Sequence, residues 1–203
     1  GTTTLTECTI NKEYLNTSSH VFYIIHADAK VVVNSGTYTH KGMDGSLAYV
    51  AKGKIIVNGG TFSASDGGYG MAPLSEGSIE VNGGDFTASF LGWGGTINIT
   101  GGTYKFDPTS FLADGYVAVK DNGVWTVSKA NVVIGTKGYS SLQAAVDAVQ
   151  DGETITILED LTEVACFYKG TASFTLDLKG KTLISSDHTH MFEFNWNEVA
   201  ETN

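Results

Sequence analysis

The chain has 203 residues, 25 of them glycine and only 2 proline, with a formal charge of −10. All twelve basic residues are lysine, so bidentate arginine recognition of phosphate or carboxylate is missing, and nucleic acid and anionic membrane surfaces are poor partners. The length suits one large all-β domain or two small ones with a sizeable core, and no apolar run approaches a membrane span.

Four near copies of one phrase dominate the first half: KVVVNSGTY at 30–38, KIIVNGGTF at 54–62, SIEVNGGDF at 78–86 and TINITGGTY at 96–104. Their glycines, Gly36, Gly60, Gly84 and Gly102, lie 24, 24 and 18 residues apart. Val31/Val33, Ile55/Val57, Ile79/Val81 and Ile97/Ile99 alternate with outward residues, the period-two signature of a strand with one buried side. A turn follows in which glycine accepts positive φ and asparagine bonds its own backbone. An aromatic comes next: Tyr38, Phe62, Phe86 or Tyr104.

Upstream of each copy runs an apolar stretch: VFYII (21–25), LAYVA (47–51), GMAPL (70–74) and SFLGW (89–93). One such unit cannot bury its own apolar face, whereas a stack of them can. Stacked coils reward like residues at like positions and an antiparallel sandwich does not. The expected fold is therefore an all-β parallel β-helix, with aliphatic, asparagine and aromatic ladders running through it.

The repeat stops after Tyr104. YVAVKDNGVWTV (116–127) contains two alternating runs joined by Asn122-Gly123, a strong hairpin signal. Tyr116 and Trp125 are placed to cover the open end of the stack. A second unit is expected from Asn131, giving domains 1–130 and 131–203. In it SSLQAAVDAVQDG (140–152) reads as a helix with a Ser140/Gln143 capping box and an apolar stripe of Leu142, Ala145, Val146 and Val149, ended by Gly152. ETITILED, FTLDLKGKTLIS and MFEFNW then read as the first coils of another, incomplete β-helix.

The VNGGTF-like repeats, the closing LADGYVAVKDNGVWTV, and GYSSLQAAVDAVQDGETITILEDLT with LDLKGKTL together resemble repeat segments of large secreted or surface proteins of gut bacteria. Those segments belong to the right-handed parallel β-helix, pectin-lyase-like class, and similar coils occur in phage tailspikes and fibres. The resemblance implies an extracellular, cell-surface or virion-surface setting and a non-catalytic stalk or adhesive role. Its alternatives are a phage fibre for host attachment and a polysaccharide lyase or glycoside hydrolase. The start at Gly1 rather than Met fits a processed or excised piece. The partners it implies are surface glycans or a host or cell-surface protein, besides neighbouring β-helix units or further copies of the chain; nucleic acid and membrane insertion are not among them.

The parts of the related enzymes are absent from the sequence. There is no arginine to act as base, no Asn-Thr-Asp pattern and no Asp-Asp pair. Glu80, Asp85, Asp66 and Glu76 are the carboxylates placed to face one another across coils, and a pair at the right separation would suit glycosidic cleavage. No catalytic residue, cofactor or metal is assigned. His188 and His190 share a strand face, with Asp187 beside them, yet two ligands do not make a metal site. His20, His26 and His40 receive no role, and Cys8 and Cys166 read as small buried hydrophobes. The candidate ligand contacts are Tyr69, Phe90 and Trp93 in the Gly-rich stretches, with Glu80 and Asp85 alongside; for Phe90 the alternative is a ring that fills the interior.

Overall fold

The computed structural model describes residues 1–13, 19–42, 45–65, 67–163, 166–168, 170–186 and 192–194. Two compact units are present: 1–113 with 118–128, and 114–117 with 129–203.

In the first unit the repeat becomes a stack of parallel strands. In chain order these are β1 (Thr2–Leu5), β2 (Cys8–Glu13), β3 (His20–Ile24), β4 (Lys30–Val33), β5 (Gly36–Lys41), β6 (Ser46–Val57), β7 (Thr61–Ser65), β8 (Tyr69–Val81), β9 (Asp85–Phe86), β10 (Thr96–Ile99) and β11 (Thr103–Tyr104). A 3-10 turn at Thr109–Phe111 precedes the hairpin β12 (Tyr116–Asp121) and β13 (Val124–Lys129). One sheet runs β1-β4-β6-β8-β10, with β3 also on β6; the other runs β2-β5-β7-β9-β11-β13-β12. This is a parallel β-solenoid.

The register is the repeat itself. Leu5, Val33, Val57, Val81 and Ile99 are successive partners, as are Tyr38, Phe62, Phe86 and Tyr104. The four rings stack at 4.9, 4.8 and 5.1 Å between centroids and are buried. The asparagines form the third expected ladder: Asn58 Nδ2 donates to Asn34 Oδ1, and Asn82 Nδ2 to Asn58 Oδ1, both at 2.9 Å. Thr100 stands where the fourth asparagine would be, and its hydroxyl donates to Asn82 Oδ1 at 2.8 Å. At the turn, Gly60, Gly84 and Gly102 have φ of 109°, 109° and 100°. A Cβ there would lie 3.0, 2.9 and 2.8 Å from the carbonyl of the equivalent glycine one coil earlier. Both the conformation and the space demand glycine.

Of the four upstream apolar stretches, the one at 89–93 forms no strand. Residues 89–93 make only a bridge from Trp93 to Leu74, with Gly70 N donating to Ser89 O and Leu91 N to Met71 O. The last step is six residues shorter than the others, since Gly84 to Gly102 is 18 where Gly60 to Gly84 is 24. The chain thus crosses this side of the coil without room for a full strand. At the closing hairpin Asn122 and Gly123 both have positive φ, 46° and 80°, as a two-residue hairpin turn requires. β13 lies antiparallel on β11, Trp125 opposite Tyr104, so the free edge of that sheet is paired. Cys8 is half-buried rather than buried, because β2 is an edge strand with a neighbour on one side only; the Cys166 side chain lies outside the described residues.

In the second unit β14 (Val132–Ile134) and β15 (Lys137–Tyr139) form a hairpin, followed by α1 (Leu142–Ala148). The helix cap is Ser141, not Ser140: Ser141 is extended, at φ −156° and ψ 165°, and its Oγ accepts from Ala144 N at 3.1 Å. Gln143 donates to Asp147 Oδ1 one turn on instead of closing a capping box. The helix is shorter than the sequence span suggests, and Gly152 (φ 80°) serves the turn after it. Leu142, Ala145, Val146 and Val149 are buried with Val132, Ile134, Ile155 and Ile157.

The remaining strands are β16 (Thr154–Ile157), β17 (Leu161–Glu163), β18 (Cys166–Tyr168), β19 (Thr175–Asp177), β20 (Leu183–Ser185) and β21 (Phe192–Phe194). They pair parallel as β16-β19, β17-β20 and β18-β21, two turns of a second stack. Asp151 and Asp160 hold its corners by accepting from Ser173 N and Thr182 N, each 22 residues on.

Candidate aromatic face

The sequence candidates separate once their strands are in place. Phe90 belongs to the interior: it is 5% exposed and meets Phe86, Tyr104, Phe106 and Phe111 at 5.2, 5.9, 5.1 and 6.0 Å. Its ring fills the space where the shortened step omits a strand, so it is not available to a ligand. Glu80 is engaged by Lys54, its neighbour across β6 and β8, and Glu76 by Lys52 at 3.1 Å. Asp85, exposed on β9, accepts from the Thr103 hydroxyl of the next coil. These carboxylates are held in separate cross-coil contacts and are not gathered into an acid/base pair. Asp66, Asp187, His188 and His190 lie outside the described residues. Among those described, no three His, Cys, Asp or Glu side chains are grouped to hold a metal, and no helix is long and apolar enough to cross a membrane.

Tyr69 and Trp93 do come together, and with company. Trp93 is 48% exposed and meets Tyr69 at 6.2 Å and Tyr49 at 6.3 Å, edge to face in both cases. Tyr49 stacks on Tyr23 at 5.4 Å, and Tyr23 is 61% exposed. His20 stacks on both tyrosines, at 4.8 Å from Tyr49 and 5.5 Å from Tyr23. The result is a row of five rings across β3, β6, β8 and the 89–93 segment.

The register explains how the row arises. Tyr23 pairs with Tyr49, and Tyr49 with Ala72. Alanine leaves a gap in this ladder, and Trp93 from the next pass of the chain closes on Tyr49 there. The parallel row His20–Ser46–Tyr69 runs beside it. Ser46 is buried, and its Oγ lies 2.9 Å from His20 Nδ1, which anchors the imidazole that supports the tyrosines.

Behind the face lies His40, 1% exposed. Its Nε2 is 3.0 Å from Ser19 Oγ, while its Nδ1 is buried without a hydrogen-bond partner. Burial holds the His40 pKa below the ordinary imidazole value; a contact with Ser19 opposes this and the charge of Lys12 adds to it. Burial, then the neighbouring His40, lowers that of His20. Both shifts favour the neutral imidazole.

Tyr23 and Tyr49 lie in the apolar stretches VFYII and LAYVA, and His20, given no role by the sequence, stands just before the first. The available signal was a tyrosine recurring at an equivalent offset, SHVFY and GSLAY, in runs where aliphatic residues alone would fill a core. No protein-family model, curated protein or solved structure matches this chain.

Proposed function

We propose that this protein is a non-catalytic β-helix segment of a bacterial surface or secreted protein, and that it binds glycan through its aromatic face. The observation that carries the reading is the row of Tyr23, Tyr49, Tyr69 and Trp93, in which Tyr23, Tyr69 and Trp93 are exposed and Tyr49 is half-buried. Aromatic rings with a polar edge suit a partner that has both apolar C–H faces and hydroxyls, and sugars are that partner. Three of the six exposed large hydrophobics among the described residues are aromatic, and all three belong to this face. The non-catalytic part rests on Glu76, Glu80 and Asp85 being engaged separately. The setting rests on the resemblance of the repeats and closing segment to gut-bacterial β-helix proteins of the pectin-lyase-like class.

The test is a glycan array probed with the wild-type protein and with Trp93→Ala. Loss of the array signal at an unchanged melting temperature supports the reading; an unchanged signal refutes it. Release of reducing sugar from a pectin and xylan panel would overturn the non-catalytic part.

A further inference from the structure

We infer that the ligand of the aromatic face is a neutral, linear polysaccharide lying along the solenoid axis, across the coils rather than along a strand. This deepens the glycan reading and rests on it. The first ground is where the rings come from. Tyr23 lies on β3, Tyr49 on β6, Tyr69 on β8 and Trp93 in the segment after β9, so each belongs to a different pass of the chain. Neighbouring parallel strands are ~4.8 Å apart, so a row crossing four passes extends roughly 15 Å along the axis. One terminal sugar reaches one or two of these rings. Only an extended chain reaches both Tyr23 and Trp93.

The second ground is charge. The strands that carry Tyr49 and Tyr69 also carry Lys52, Lys54, Glu76 and Glu80, and these pair with each other as Lys52–Glu76 and Lys54–Glu80. A uronate or sulfated chain would have to break one of these pairs to gain a cation, against a protein of net charge −10 and no arginine. An aminoglycan would have to take Glu76 or Glu80 from its lysine. Neutral sugars meet neither obstacle. Among the described residues, the polar group packed directly on the rings is the His20 imidazole, held by buried Ser46.

Calorimetric titration of the full chain tests this with β-1,4-linked xylo-, manno- and gluco-oligosaccharides of two to six units, beside oligogalacturonates and chitosan oligomers of the same lengths. Affinity for at least one neutral series should rise with length by tenfold or more and then level off. Tyr23→Ala and Trp93→Ala, at opposite ends of the row, should each weaken the longest oligomer roughly threefold to tenfold, the worth of one ring contact. Trp93→Phe, which keeps a ring, should recover most of the loss, separating lost contact from lost fold. Affinity independent of length, or a charged series binding as well as the neutral ones, overturns the inference and leaves the glycan reading standing. No binding in any series, with wild-type self-association abolished by Trp93→Ala, overturns both, since the face is then a protein interface.

Discussion

Replacing Phe62 with alanine removes the second ring of a four-ring ladder. The ring is fully buried and lies between Tyr38 at 4.9 Å and Phe86 at 4.8 Å, nearly parallel to both. Phe→Ala in a core costs about 3–5 kcal/mol, more where the surroundings cannot collapse. Here collapse is opposed, because Tyr38 and Phe86 are held by β5 and β9, each hydrogen-bonded in register with β7. A cost in the upper half of that range, about 4–5 kcal/mol, is therefore expected. At a urea m-value of about 2 kcal/mol/M this moves the midpoint of the first unit down by about 2 M. In a stack held by nearest-neighbour interfaces, the break also uncouples the coils on either side. Far-UV circular dichroism should then lose amplitude before the fluorescence of Trp93 and Trp125, read in a Trp196→Phe background. A cost below about 1.5 kcal/mol, with a single sharp transition, would refute the claim that these rings form a coupled ladder.

His40 makes stability depend on pH. Its folded pKa lies below the unfolded value of 6.5, so the unfolded chain binds the proton first; the stabilisation is present above pH 6.5 and is lost as pH falls toward the folded value. His40→Gln should flatten the drop in urea midpoint between pH 7.5 and pH 5, and an identical drop in the variant would rule His40 out as its source. His20, shifted in the same direction, supplies what slope remains. Gly77→Ala places a Cβ 1.9 Å from the Val50 carbonyl oxygen, a backbone atom that cannot swing away. It should cost roughly 3 kcal/mol or more in thermal or urea unfolding. Gly92→Ala, where the nearest atom is Phe111 Cε1 at 3.7 Å, should change stability by less than about 0.5 kcal/mol. Equal effects of the two would show that β6 and β8 do not approach so closely at Gly77.

The sequence by itself determined the architecture of this protein, because stacked coils place like residues on like residues and therefore write their register into the repeat. Val33, Val57 and Val81 line up because each follows the same phrase, and Asn34, Asn58 and Asn82 bond one another for the same reason. Asn122-Gly123 announced its hairpin through the positive φ that few other residues accept, and the α1 stripe through its period. Choices between near-equivalent neighbours were not legible. Ser140 and Ser141 are both able caps, and only the extended backbone at Ser141 selects between them.

Tyr69 and Trp93 were legible as candidates, but their meeting was not, and neither was the withdrawal of Phe90 into the core. Those outcomes depend on a strand lost to an 18-residue step and on a register shift between Val50 and Lys52. The runs VFYII and LAYVA say that a strand is apolar without saying which tyrosine turns outward. The side that Tyr23 and Tyr49 take is decided by strand pairing across coils, which is why the face exists only in the tertiary structure.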